Sequence, residues 1–519
     1  ANVALLYFFI RLLVRGRPGA ARTGVRDWLP LTAAAIFALH PIQSQAVNYA
    51  YQRPTLLAGF FSLASMVSVL SSERTRYRKL SLFSAVACFV LAGTSDETAL
   101  VLPLIWTAYL WAYAEGFRAF LKSLWNQRWF VLPAGLLAIL GAGWALSSLK
   151  HNVGRTEGLG TWSEAYQYAL SQVQVLASYL HLLVRPSNVS IEHDLRVAPV
   201  LSVYGVACAL LLAAMLGSIV LVRRRLPTVA FLAVVFFLFL APTSSIIPSA
   251  DPMFEHRLYL PMIGASPLLA WGIFGFWSLL VRPEKARVAV ALASLSIWIA
   301  GYAAISRQRT YIWGDNVRLW EDATAKAPRK PRAHYNLAVA YLNVDREKAR
   351  VEFIKTLVLE PNYVPAMYNL GWLEQSAGRL TAARRYYAFV VAIDSAHWQA
   401  HHNLGNLNVL EGRLDEARSE FQKTIRIRSG YWPAYLSLAN LQLQQGDTTG
   451  ASDTIQRLKQ LQPELLEARY LSAYALTEQK RFAEAEDELQ FISERDSGKI
   501  YQSRIELLRQ RRRALDSTQ

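Results

Sequence analysis

Residues 333–341 read AHYNLAVAY, and the same text returns in altered form as AMYNLGWLE at 366–374, AHHNLGNLN at 400–408 and AYLSLANLQ at 434–442. Ala333, Ala366, Ala400, Ala434 and Ala468 mark equivalent positions, at spacings of 33, 34, 34 and 34. A fixed period of this length marks a helical unit that cannot bury its apolar face alone and does so by stacking on its neighbours. Gly378, Gly412 and Gly446 fall at the turn inside each unit, and Ala383 and Ala417 fall where helices must pack closely. The expected architecture is paired antiparallel helices stacked into a superhelix with a concave groove, closed by a helix near Lys499 to Arg513.

This pattern resembles the tetratricopeptide repeat. Asn336, Asn369 and Asn403 hold one place in three successive units, and Ser437 and Leu471 replace them later. Side-chain amides both donate and accept, so such a ladder on a concave face can hold an extended peptide through bidentate backbone bonds. The three asparagines are therefore candidate acceptor-binding residues. The competing reading is ordinary repeat scaffolding, since asparagine is common at this place.

Toward the N-terminus the character of the chain changes. The 519 residues are 53% hydrophobic, with 15 Trp, and yet carry a net charge of +17. Up to about residue 306, apolar runs alternate with short basic clusters; from about Trp320 the chain is charged and helical in pattern. The expected division is a polytopic membrane domain over 1–306, a linker or first helix over 307–332, and repeats over 333–519, all of it α-helical. About 20 apolar residues cross a bilayer core, fewer where aromatic or basic residues anchor the ends. On that basis ten spans are expected, near 1–14, 28–40, 55–72, 80–93, 98–113, 129–149, 199–222, 227–241, 258–281 and 288–305. If they alternate, five basic clusters share the inner side: Arg15 to Arg26, Arg74 to Lys79, Arg118 to Arg128, Arg223 to Arg225 and Arg282 to Arg287. The segment Tyr166–Pro186, with Gln167, Gln172, Gln174 and His181, reads as an amphipathic helix that does not cross. Cys88 and Cys208 lie in apolar runs and are expected to be reduced.

The outer loops carry what the inner ones lack. ALHPIQSQAVNYAYQR, Ala38 to Arg53, places a histidine, polar amides and an arginine between two apolar runs. AGTSDETALVLP holds Asp96 and Glu97, and DPMFEHRLYLP packs Asp251, Glu255, His256, Arg257 and Tyr259 at the mouth of a span. Glu157 lies in a further outer loop, with the sequon NVS at Asn188, which is read as chance. Ionisable groups at membrane depth are costly and mark functional sites by default, so these segments are expected to wall an outward-facing polar cavity.

FALHPIQSQAVNYAYQRPTLLAGFF, LAGTSDETALVLPL, RPSNVSIEHDL, FLAPTSSIIPSADPMFEHRLYLPMIG and RTYIWGDNVRLWEDATAKAPRKPRAHYNLAVAY come in an order and spacing that resembles the polytopic C-type (GT-C) glycosyltransferases with a tetratricopeptide-repeat tail. The similarity in kind is to bacterial members and to the transmembrane and tetratricopeptide-repeat protein O-mannosyltransferases. The resemblance implies inverting transfer of a sugar from a polyprenyl-phosphate-linked donor to a protein or peptide acceptor held by the repeats. The transfer would take place on the periplasmic or lumenal face of an inner or endoplasmic-reticulum membrane.

Carried over by position, Glu97, Asp96 and Glu255 are the catalytic candidates; Arg53, His256, Arg257, His40 and Tyr259 are the donor-phosphate candidates. Asp96 stands where the family usually has lysine. The family's earlier helix and first outer loop, with an acidic pair, have no counterpart, so an N-terminal piece is expected to be missing. The lipid bilayer is an expected partner and nucleic acid is not. No motif specifies a cofactor, a divalent cation included. The alternative reading is a non-catalytic membrane-anchored scaffold that assembles an envelope or pilus-like complex.

Overall fold

The computed structural model describes residues 1–15, 23–153, 162–187, 189–194, 202–244 and 253–516. Arg17, Arg22, Glu157, Asn188 and Asp251 lie outside the described residues. Among the described residues every regular element is a helix. The chain divides into two compact units, Ala1–Arg329 and Lys330–Gln519.

The cut falls near the end of the segment 307–332, read from the sequence as a linker or first helix. The helix Glu284–Trp313 runs unbroken, and the next one, Asn316–Lys326, is tied to the first unit by polar bonds. Arg309 Nη1 donates to Asp322 Oδ2 at 2.9 Å, Lys326 Nζ to the Val189 carbonyl at 2.8 Å, and Arg329 Nε to Asp194 Oδ2 at 2.7 Å. Charge along the sequence reports solvent contact, and these cations spend theirs on partners within the unit.

In the first unit, helix ends gather in two groups. At one end Arg74 donates to the carbonyls of Leu12 and Arg15 at 2.8 and 2.7 Å. There Tyr109 donates to Glu73, Tyr113 meets Thr228, and Arg223 donates to the Ala114 carbonyl. At the other end Ser306 donates to the Leu39 carbonyl, Tyr302 to that of Leu183, and Thr55 to Asp96. Between the two lies an apolar core in which Phe9, Phe89, Trp106 and Phe231 are buried. Gly264 lets two helices touch backbone to backbone, since a Cβ there would stand 2.3 Å from the Leu232 carbonyl oxygen.

Among the described residues, four helical stretches are long and apolar enough to cross a membrane: Ala50–Ser72, Val203–Val222, Met262–Leu280 and Glu284–Trp313. Asn2–Val14, Arg128–Gly143, Leu170–Val184 and Pro227–Leu240 are apolar but shorter. Ten spans were expected from the apolar runs. Many of those runs end at Pro or at polar turns before reaching the roughly 20 residues a span needs.

The second unit is the expected stack. Its pairs are Pro331–Tyr341 with Arg346–Leu359, Val364–Ser376 with Leu380–Ile393, Trp398–Leu410 with Leu414–Ile427, Trp432–Gln444 with Thr448–Leu461, and Leu466–Glu478 with Phe482–Arg495. Gln502–Asp516 closes it, and Ile505 and Leu508 are buried. Ala333, Ala366, Ala400, Ala434 and Ala468 are fully buried, because no larger side chain fits where the paired helices meet. Gly378, Gly412 and Gly446 turn the chain at φ of 74°, 74° and 77°; Lys480 holds the equivalent turn of the fifth repeat at 62°. The first turn lacks a residue at positive φ, and there Asp345 caps the second helix, accepting from Glu347 N and Lys348 N.

A side chain in the left-handed region costs about 1 kcal/mol or more relative to glycine. Gly412→Ala should therefore lower the stability of the repeats by about 1 kcal/mol. Lys480→Gly should leave it unchanged or raise it, as read from amide exchange across 400–495 in the full chain.

Candidate functional site

The site is built on a buried carboxylate. Glu255, 1% exposed, accepts at Oε1 from Ser190 N at 2.5 Å and from His193 Nε2 at 3.0 Å. Tyr179 grips the residue before it, donating to the Phe254 carbonyl at 2.9 Å and accepting from Phe254 N at 3.0 Å. His256 N donates to Oε1 of the buried Gln45 at 2.8 Å. These bonds hold the 3-10 turn Glu255–Leu258 on one side, and His256 and Arg257 of the same turn line a cavity.

The facing wall begins where helix Arg78–Ser95 ends. Asp96 is extended and caps the 3-10 turn Glu97–Val101. Its Oδ1 accepts from Thr98 N at 2.9 Å and Thr98 Oγ1 at 2.5 Å, and its Oδ2 from Thr55 Oγ1 at 2.8 Å. Both oxygens of Asp96 are thus engaged in holding this turn against helix Arg53–Ser72. Glu97 beside it is exposed. The cavity they share is about 350 Å³ and is lined by Gln52, Thr55, Asp96, Glu97, Thr243, His256 and Arg257 among others.

Burial pushes the His256 imidazole down to about 4, the Arg257 guanidinium adds to this, and the Asp96 carboxylate pulls the other way. His256 is thus neutral near pH 7, and Arg257 is left as the cation that faces the carboxylates. The donor-phosphate candidate His256 is on that footing a hydrogen-bonding group and not a second cation. Its neutral ring offers a single hydrogen bond in place of a charge.

Four other expected members stand elsewhere. His40 is 1% exposed, donates from Nε2 to the Leu183 carbonyl at 3.0 Å and accepts at Nδ1 from Ile42 N at 3.2 Å. Both ring nitrogens are spent, so it caps a helix end and holds no phosphate. Glu255 faces Ser190 and His193, away from the cavity lining, because a buried carboxylate must be paired where it sits. Tyr259 is buried, packs edge-on against Phe37, and accepts from Asn2 Nδ2 at 2.7 Å. Arg53 is exposed at the start of helix Arg53–Ser72, outside the lining formed by its neighbours Gln52 and Pro54.

His193 and Gln45 build the site although neither is named as a candidate from the sequence; Gln45 is one of the polar amides of ALHPIQSQAVNYAYQR, and His193 lies in RPSNVSIEHDL. Among the described residues no group of three or more His, Cys, Asp or Glu side chains is arranged to hold a metal ion.

In the repeats, Asn369 Nδ2 donates to Tyr335 Oη at 3.3 Å and Asn403 Nδ2 to Tyr368 Oη at 3.4 Å. Asn336 occupies the first, half-buried rung. The tyrosines stack in turn on the entry residue of the next repeat, Tyr335 on Tyr363 and Tyr368 on His397, at centroid distances of 5.2 and 5.0 Å. The ladder therefore ties repeat to repeat, and each amide oxygen is left to other partners.

Residues 368–431 and 408–465 each match a sequence model described as the tetratricopeptide repeat. The C-terminal part of this chain carries tetratricopeptide repeats. Solved structures similar to it include MamA, 19% identical over 33% of this chain and 93% of that one, with a TM-score of 0.31. YrrB, described as a TPR protein with an unusual peptide-binding site, is 15% identical over 34% and 92%, with a TM-score of 0.32. MamA from Desulfovibrio magneticus is 18% identical over 36% and 99%, with a TM-score of 0.27. No curated protein matches the chain.

The pH response of His256 has a definite sign. Its folded value, about 4, lies below the ordinary 6.5, so the unfolded chain takes up the proton first. Stability is then lost as pH falls from 6.5 toward 4, by on the order of 2–3 kcal/mol from this group. A His256→Gln variant should lose less stability over that interval than the parent in thermal unfolding at pH 6.5 and 4.5. Equal losses in the two proteins would place the acid sensitivity elsewhere.

Proposed function

We propose that the chain is a polytopic membrane glycosyltransferase that moves a sugar from a polyprenyl-phosphate-linked donor to a polypeptide recruited by the repeats. The observation that carries this reading is the cavity in which Asp96 and Glu97 face Arg257 and a neutral His256. Transfer with inversion needs a base on the acceptor side and a cation on the leaving phosphate. Glu97, exposed and next to the engaged Asp96, is suited to take the acceptor's proton as its oxygen bonds to the sugar's anomeric carbon. The bond from that carbon to the phosphate oxygen breaks, and Arg257 is suited to hold the phosphate that departs. His256 adds a hydrogen bond without a second charge, which leaves the phosphate free to dissociate.

The membrane part of the reading is supported by the four long apolar helices and by their outward faces. Leu210, Leu221, Leu279 and Ile297 are 66%, 80%, 84% and 73% exposed on them, a surface that lipid covers and water does not favour. It is supported too by the two groups of helix ends. Arg15, Arg74 and Arg223 fall in one group, and Thr55 with Asp96, from the cavity wall, in the other. Tetratricopeptide stacks are an architecture of protein recognition, which supports a polypeptide acceptor. What favours the scaffold alternative is that Arg53 and Glu255 stand outside the cavity lining.

Glu97→Gln should lower sugar transfer in membranes by about 100-fold or more while donor binding is retained. Arg257→Gln should instead weaken donor binding. Unchanged transfer in Glu97→Gln would leave the scaffold reading. In intact cells, an impermeant thiol reagent should label a cysteine placed at Asp447 and not one placed at Arg76. The reverse pattern would remove the topology on which the enzyme reading depends.

A further inference from the structure

The helix Phe117–Asn126 lies with the basic helix ends, between Leu102–Tyr113 and Arg128–Val153. Phe120 and Leu124 pack it onto the core. Phe117, Leu121 and Trp125, one turn apart along its edge, are 72%, 46% and 66% exposed. Next around the helix come Arg118 and Lys122, both exposed. Leu121, Trp125, Val131 and Leu132 form a largely apolar groove of about 550 Å³, which Lys122 and Arg128 also line. Arg128 is held in place: Nη1 donates to the Trp125 carbonyl at 2.8 Å and the guanidinium carbon stands 4.4 Å from the Trp125 ring centre. That posture uses one of five N–H groups. Among the described residues, no carboxylate pairs with Arg118, Lys122 or Arg128.

We propose that this groove binds an anionic phospholipid, with its phosphate at Lys122 and Arg128 and an acyl chain against Leu121, Trp125 and Leu132. The proposal rests on the membrane reading and assigns a site at the end of the unit opposite the polar cavity. Neither feature alone would select such a ligand. An apolar groove takes any chain, and a basic patch takes any anion; together they match one molecule that is anionic at the head and apolar below it. The indole under the guanidinium favours the interface, where a ring can be half wet. A soluble phosphate would leave the groove empty of apolar contact, and a neutral lipid would leave unpaired cations at its rim.

The test is lipid retention. Full-length protein is exposed to vesicles of equal phosphatidylglycerol and phosphatidylcholine, purified in neutral detergent, and its bound lipid measured by mass spectrometry. Phosphatidylglycerol should be retained over phosphatidylcholine by about tenfold or more, since each cation near a lipid surface is worth a several-fold gain. The double variant Lys122→Gln/Arg128→Gln should bring the ratio close to one. Leu132→Trp, which fills the groove and keeps the charges, should reduce retained lipid as well. Arg78→Gln/Lys79→Gln, from another basic cluster, should leave the ratio unchanged.

Parity in the parent, equal loss in the Arg78/Lys79 control, or full displacement by inorganic phosphate would each overturn the site. An alkaline carbonate wash separates the two levels. A chain that stays in the membrane without lipid preference overturns this inference alone, and a chain that washes off overturns the membrane reading beneath it.

Discussion

A carboxylate taken out of water has to be met by donors where it lies, and Glu255 imposes that demand on the first unit. Its side chain is fully enclosed, and Ser190 N and His193 come to it from a segment more than 60 residues away. Removing such a group's partners leaves an uncompensated buried charge, a cost of about 3–5 kcal/mol, so the two segments are held together. The 189–194 segment is also the one that Lys326 and Arg329 grip, through the Val189 carbonyl and Asp194. One buried acid thus joins the turn that lines the cavity to the last helix of the unit.

This anchoring sets the electrostatics of the cavity. With Glu255 turned inward, the turn offers His256 and Arg257 to the other side, and burial keeps the histidine neutral beside the guanidinium. Across from them Asp96 is spent on Thr55 and Thr98, which fixes where Glu97 begins its turn. Four charged or ionisable side chains reduce in effect to one exposed carboxylate and one cation. The proposed displacement of a phosphate would need that separation of roles, since a surplus of cations would hold the product and a surplus of carboxylates would repel the donor.

The repeats solve a different problem with the same economy of polar groups. The first two stack interfaces each have an aromatic ring against the next repeat's entry residue and an asparagine bonded to that ring's hydroxyl. Inside the pairs, His334 meets Glu352 and His401 meets Glu420, both at 2.6 Å, so buried histidines are matched by acids on the partner helix. In the fifth repeat Arg469 and Glu488 stand in the same relation. These pairs recur at separations of 18 or 19 residues, a regularity readable from the aligned units once the period is known.

The period, the buried alanines and the glycine turns of the repeats were legible in the sequence, because a stacked unit meets the same neighbours each time and local text repeats with them. So was the gathering of Asp96, Glu97, His256 and Arg257 as candidate site residues, since charges among apolar runs stand out wherever they occur. Their neighbours' fates were not. His40 carries the same chemistry as His256 on paper, Tyr259 stands two positions from Arg257, and only packing shows that Leu183, Ile42 and Asn2 consume the bonds of His40 and Tyr259. Glu255 and His256 are adjacent in the chain and end on opposite sides of a 3-10 turn, one anchoring and one facing the cavity. A hydrogen-bonding side chain is defined by the partner that reaches it, and for His40, Tyr259 and Glu255 a deciding partner lies tens to hundreds of positions away, where only the tertiary structure brings it.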